Sequence, residues 1–474
     1  MYNQLNQYRC TIIRGKSQKD IDNFLPAYAK IISEVCPCKK SDFEREFNDR
    51  MRPLIPGNAT KKTLDNHRTE VAGKLFGMYY TTKSAYDDEM YVYPSARTLK
   101  FLEDNDQPAF FKDVCFKMQF PNGMTKPDTV KERIDLGISI RQCCYVIEVL
   151  REAESRSLFL SKNDIGYYVL NSLDALQRLA SPYEIVDAIQ RDRVAGVLSH
   201  FIGDPAKESS YNLQHINEQI NYMELANLVV ISDDGIVRLN SKEQTAIDIF
   251  ASHWDDQPLF DVTAFDFSTP NAKQYFQFAW DEYYSALSDE ADNFQTSIAA
   301  LIDQESEGET ANVVTPTAST GGDTVELGDE GEEYVYNYEK RRVTAFNARL
   351  ANKVLALGKT RGLGYDIQTV IAEPGDQAEF VKYIEVKATK RVTAPDVNDP
   401  LWVDTINVTR NEWIAAQQHG AFYAIYRVYF VRGGVVMYVL ENPYELCQNG
   451  RITVAPTMYR VDFGSSAVQR VIQS

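Results

Sequence analysis

The sequence predicts a multidomain protein, mainly α in a long N-terminal arm and α/β in a C-terminal domain. Three observations carry this. The arm is built of apolar residues at helical spacing, interrupted by short alternating runs that carry turn signals. Residues 303–333, "DQESEGETANVVTPTASTGGDTVELGDEGEE", are acidic and nearly free of large apolar side chains. Such a stretch cannot bury enough surface to offset its ordering entropy, so it is expected to be a flexible linker. Beyond it, "YDIQTVI" (365–371) and "YIEVKATK" (383–390) alternate like strands around a Pro-Gly turn, in a stretch about one domain long.

The arm justifies its class element by element. "DNHRTEVAGKLFGMYY" (65–80) predicts a helix with Val71, Leu75 and Met78 on its apolar side. "YTTKSAYDDEMYVYP" predicts a hairpin with "YDDE" at its turn, and "PSARTLKFLED" a second helix. Helix, short β wing, helix is the order of a winged helix, so residues 1–130 are expected to be a winged-helix-like DNA-recognition domain. Residues 131–254 are expected to be a further winged-helix-like region, with helices over 139–154, 161–172, 181–196 and 213–228. "VVISDDGIVRLN" then reads as two strands joined by Asp-Asp-Gly. Ser241 and Gln244, three apart, would open the next helix as a capping box. Residues 255–302 form an acidic connector with one long aromatic helix over 271–302, and 334–474 the C-terminal domain.

Charge sets the expected partner. The chain carries 50 Lys and Arg against 67 Asp and Glu, a net of −17, which argues against nucleic acid. Its distribution reverses that. Residues 201–339 hold 4 basic and 28 acidic residues, leaving 46 basic against 39 acidic elsewhere. The two ends can therefore each meet an anion. Arg68 and Lys74, on the first helix before a wing, are the candidate DNA contacts of the arm. No run of 18 apolar residues exists and the N-terminus has no signal-peptide core, so a cytoplasmic protein without a membrane span is expected. The seven scattered cysteines, Cys10, Cys36, Cys38, Cys115, Cys143, Cys144 and Cys447, lack zinc-site spacing and are expected to be reduced thiols.

The C-terminal strands carry the chemistry. On "YIEVKATK", Glu385 and Lys387 share one face of the strand and Ile384 and Val386 the other. If the hairpin turns about the Gly375–Asp376 bond, paired residue numbers sum to 751 and Asp366 stands opposite Glu385. Two carboxylates facing each other, about 5 Å apart at Cβ, destabilise a sheet unless a cation lies between them. Hard oxygens from Asp366, Glu385 and the Val386 carbonyl suit Mg²⁺, with Mn²⁺ able to substitute. Lys387, one pleat on, could orient a water or stabilise charge on a phosphate. The bland alternative is a solvated surface ion pair worth under about 1 kcal/mol. A register shift of one residue would end the catalytic argument.

This constellation resembles the PD-(D/E)XK nuclease superfamily, with Tyr365 where a proline usually precedes the aspartate. It is closer to the restriction-endonuclease-like domain at the C-terminus of NO VEIN proteins. "GEEYVYNYEKRRV" (331–343), "GLGYDI" (362–367), "IEVKAT" (384–389) and "VTRNEW" (408–413) carry that resemblance over about 334–430. The resemblance implies Glu339 on the first helix as the fourth member of the site, with Glu332 as runner-up. "YPSARTLKFLEDND", "FKMQFPNG" and "IRQCCYVIEVLREAESRSLFLSKNDIGYYVL" in the arm resemble the recognition region of AlwI-like type II restriction endonucleases.

Together these readings predict a Mg²⁺-dependent, sequence-specific endonuclease of the restriction or phage-defence type, hydrolysing phosphodiester bonds of double-stranded DNA with a metal-activated water. Glu339, Asp366, Glu385 and Lys387 are its expected catalytic residues. Lys390 and Arg391, just beyond, are expected to contact DNA. One site per chain implies a homodimer on DNA or a partner subunit for a double-strand cut. The competing readings are a DNA-binding sensor or regulator with a non-cleaving nuclease-like domain, and a nicking or catalytic subunit of a heteromeric complex. His419 is expected to be an ordinary surface residue.

Overall fold

The computed structural model describes residues 6–13, 18–55, 57, 59–83, 89–202, 211–302, 324–360, 362–371, 380–399 and 402–454. They fall into two compact units. The first comprises Met1–Glu333, Lys387–Asn407 and Arg427–Tyr438; the second comprises Tyr334–Val386, Val408–Tyr426 and Val439–Ser474. No helix of the described residues is long and apolar enough to cross a membrane.

The first unit is mixed helical with two small sheets. One sheet orders β1 (Cys38–Lys39), β3 (Met90–Pro94) and β2 (Tyr79–Lys83), and the other β4 (Leu160–Ser161), β6 (Ile236–Leu239) and β5 (Val229–Ile231). The Asn66–Leu75 helix before the first hairpin is π-helical rather than α, continuing the short Lys61–Asp65 helix. Its tip, residues 84–88, lies outside the described residues. The second hairpin turns where Gly235, at φ +80°, takes a conformation that a side chain would strain. A continuous apolar core joins both sheets, through Phe47, Phe76, Phe111, Tyr222 and Phe250 among others.

Two expected helix ends fall differently. The box of Ser241 and Gln244 does not form. Asn240 caps instead, accepting from the Lys242 amide, over a 3₁₀ turn Ser241–Glu243, and the α-helix starts at Gln244. Full capping boxes do form at Ser161–Asp164 and Ser181–Glu184. The aromatic segment 271–302 is not one helix. Pro270–Ser285 is followed by a 3₁₀ turn Ala291–Phe294 and a short Ile298–Leu301 helix. Buried side chains impose the break. Lys117 Nζ donates to the carbonyls of Tyr283 and Ala286, and Asp113 accepts from the Ser288 amide and hydroxyl at 2.9 and 2.6 Å.

The C-terminal stretches of the first unit are tied to its helices by charge. Arg391 lies 3.6 Å from Asp22 and Lys390 3.6 Å from Asp106. Arg432 reaches Glu224 at 3.4 Å and Asn227 at 2.8 Å. Asp22 is fully buried and also accepts from Gln107 and Thr393. Burial raises its pKa to about 6, while Arg391 pulls the other way. The folded state therefore holds this proton more tightly than the unfolded chain. Its contribution to stability is greatest at low pH and is lost as pH rises through about 4 to 6. The stability difference between the native protein and Asp22→Asn should shrink across that window and level off above it. Denaturant melts at successive pH values measure it; a difference independent of pH would refute the assignment.

The five-stranded sheet orders β11 (Gly434–Glu441), β10 (Tyr423–Val431), β9 (Phe380–Lys390), β8 (Ile367–Ile371) and β7 (Leu355–Ala356). In the second unit, β8 and β9 pair antiparallel with Ile367 opposite Ile384 and Ile371 opposite Phe380. The numbers sum to 751, as the turn about Gly375–Asp376 predicts, though residues 372–379 lie outside the described residues. The helix before β7 runs Thr324–Phe346, so residues 324–333 of the expected linker are helical. Residues 303–323 lie outside the described residues.

Candidate active site

Asp366 enters the ladder one residue before β8. Its amide donates to the Ile384 carbonyl at 2.9 Å, and its own carbonyl accepts from Leu357 at 2.6 Å. Its carboxylate Oδ2 accepts from the Val386 amide at 2.8 Å. The ladder's last pair is Ile367 with Ile384; Asp366 and Glu385 are the next residues on the two strands, with the Asp366 amide bonded to Ile384 rather than to Glu385. Glu385 is only 3% exposed, so the surface-pair reading does not describe it. Lys387 lies two residues along β9, on the same face and half-buried.

Among the described residues, no three His, Cys, Asp or Glu side chains gather closely enough to hold a metal by themselves. Asp366, Glu385 and the Val386 carbonyl are the donors at hand.

Glu339 is placed elsewhere. It is fully buried and accepts from Arg342 Nη2 at 2.6 Å, Thr369 Oγ1 at 2.9 Å and Tyr426 Oη at 3.0 Å. Thr369 pairs with Lys382, which shares a face of β9 with Ile384. By strand alternation that is the face opposite to Glu385. The expectation that Glu339 joins the two acids is therefore corrected: it is the acceptor of a buried cluster on the other side of the sheet.

The expected DNA contacts also have internal partners. Arg68 is buried, donating to Asn48 at 2.7 Å and pairing with Asp65 at 2.9 Å. Lys74 pairs with Glu70 at 2.8 Å, and Lys390 and Arg391 are held by Asp106 and Asp22. His419 is not a bare surface residue: its ring packs 4.0 Å from that of Tyr383, with Tyr365 6.0 Å away.

Sequence reasoning missed Tyr423. It is fully buried at the start of β10, and its hydroxyl donates to the Gly364 carbonyl at 2.8 Å. Burial, then the charges of Glu385, Glu412 and Asp366, hold its phenol well above the usual range. The charges of those three carboxylates therefore act on this hydroxyl. An aromatic run such as "YAIYRVYF" gives no sign of which tyrosine faces acids.

A family model described as restriction endonuclease BpuJI, N-terminal, matches residues 2–279, more than half of the chain. The chain belongs to this restriction endonuclease family. A second model, protein NO VEIN, C-terminal, matches residues 331–439. The arm's match is thus to BpuJI, where the sequence suggested AlwI-like enzymes. Among solved structures, the BpuJ1 endonuclease binding domain in complex with pyrene- and phenanthrene-modified DNA is 48% identical. That match covers 60% of this chain and 100% of the other, with a TM-score of 0.56. No curated protein matches.

Proposed function

We propose that this chain is a Mg²⁺-dependent, sequence-specific endonuclease of double-stranded DNA, with recognition by its BpuJI-like arm and hydrolysis by its NO VEIN-like domain. The hydrolytic half is supported by the β8–β9 register, in which Ile367 stands opposite Ile384 and the next residues are Asp366 and the buried Glu385, with Lys387 two residues further along β9. The recognition half is supported by the DNA-bound relative and by the helix–hairpin–helix order around both small sheets, which favours winged helices.

When bound, Mg²⁺ would neutralise charge on the phosphate and lower the pKa of a water at the site. Asp366, Glu385 and the Val386 carbonyl would hold it. Lys387 would orient the attacking water or stabilise the charge that builds on phosphate oxygens. A double-strand cut would need a second copy on DNA or a partner subunit.

Purified protein should cut duplex DNA with Mg²⁺ or Mn²⁺, stop with EDTA, and bind without efficient cutting in Ca²⁺. Binding in Ca²⁺ should weaken steeply with salt as phosphate contacts release counterions. Undiminished cleavage in EDTA would remove the carboxylate pair from the mechanism. Sequence-specific binding with no cleavage in any divalent cation would favour the sensor reading.

A further inference from the structure

We infer that Tyr423 is a positioning residue for hydrolysis, its hydroxyl pinning the Gly364 carbonyl and so fixing the turn that presents Asp366. The inference rests on the nuclease reading and deepens it at the same site.

The turn is made of backbone that glycine suits. Gly362 and Gly364 both take positive φ, +90° and +76°, in the left-handed region that suits glycine. A Cβ at Gly364 would come within 2.6 Å of the Asn411 carbonyl and 2.9 Å of the Ala415 side chain. The chain thus passes close against the Arg410–His419 helix with no side chain of its own to anchor it there. Two residues later comes Asp366, whose backbone and carboxylate are engaged by Ile384, Leu357 and Val386. The hydroxyl bond from Tyr423 to Gly364 is the tie on the entry side.

Tyr423 suits this task. Its ring is fully buried at the start of β10, where the backbone is fixed: its carbonyl accepts from the Asn442 amide at 2.9 Å. Its hydroxyl is the donor in this bond, 2.8 Å from the Gly364 carbonyl. Because its proton points to Gly364, the lone pairs of its oxygen are left to accept. A water in the shell of a cation held by Asp366 and Glu385 is the donor such a place would take. Tyr423 would then act twice, on the turn and on the hydration shell, without itself being a ligand.

The test is Tyr423→Phe in the full-length protein, which keeps the ring and removes only the hydroxyl. Cleavage at saturating DNA should fall about tenfold, and the Mg²⁺ concentration for half-maximal rate should rise several-fold. The dissociation constant for DNA in Ca²⁺ should not change. Amide hydrogen exchange over residues 362–367 should quicken. A purely structural tyrosine would shift melting without moving the Mg²⁺ requirement. An unchanged Mg²⁺ requirement and rate in an active protein would overturn the inference while leaving the nuclease reading standing. Wild-type protein that cuts nothing would defeat the nuclease reading itself; unchanged exchange over 362–367 would overturn the Tyr423 inference in either case.

Discussion

Asp366→Ala and Glu385→Ala should each abolish DNA cleavage and leave DNA binding in place. On the proposed mechanism each removes one of two carboxylate ligands, and a Mg²⁺ site built on so few protein ligands does not survive losing one. Lys387→Ala should also reduce cleavage by orders of magnitude, through loss of its contact to the water or the phosphate. Stability separates the carboxylate pair from an ordinary ion pair. Without metal, Glu385→Ala should melt close to the native protein, because the desolvation cost of the buried carboxylate offsets what its bonds contribute. Asp366→Ala loses the bond from the Val386 amide, worth about 1 kcal/mol. Asp366→Asn keeps an acceptor there and isolates the metal-binding role. Cleavage assays and melting curves with and without Mg²⁺ measure all four variants. Full cleavage by Glu385→Ala would end the two-strand site.

Glu339→Ala should do the opposite kind of damage. Its carboxylate is fully buried and satisfies Arg342, Thr369 and Tyr426 together. Removing it leaves a guanidinium and two hydroxyls without their shared acceptor, at a cost of about 3 kcal/mol or more. The second unit should therefore unfold at markedly lower denaturant, with faster hydrogen exchange along β8 and β9. Cleavage would fall only as far as the fold does. Glu339→Gln, which keeps one acceptor oxygen, should recover part of both. If Glu339→Gln loses cleavage completely at native stability, the carboxylate acts in the chemistry after all and its assignment to the buried cluster is incomplete.

The candidate site was legible in the sequence as far as local rules reach. Period-2 alternation assigns Glu385 and Lys387 to one face, and a Pro-Gly turn sets the pairing that the β8–β9 ladder displays. Glu339 was not legible in that way. Its helix was recognisable from "GEEYVYNYEKRRV", but a helix pattern does not say which face of the sheet it covers. That is decided by how the helix packs, and here it sets Glu339 over Thr369.

What the sequence by itself determined was whatever depends on neighbours a few residues apart: the alternation of β9 and the register of its hairpin. These follow from backbone periodicity and from the Pro-Gly turn. Tertiary structure alone decided the fate of isolated charges. Arg391, expected to contact DNA, lies beside Asp22 from the far end of the chain, and the aromatic helix ends at Ser285 because Lys117 and Asp113 claim the groups beyond. A long charged side chain bonds to whichever acceptor folding brings beside it, and burial makes that choice costly to leave unmade; no local pattern records the partner.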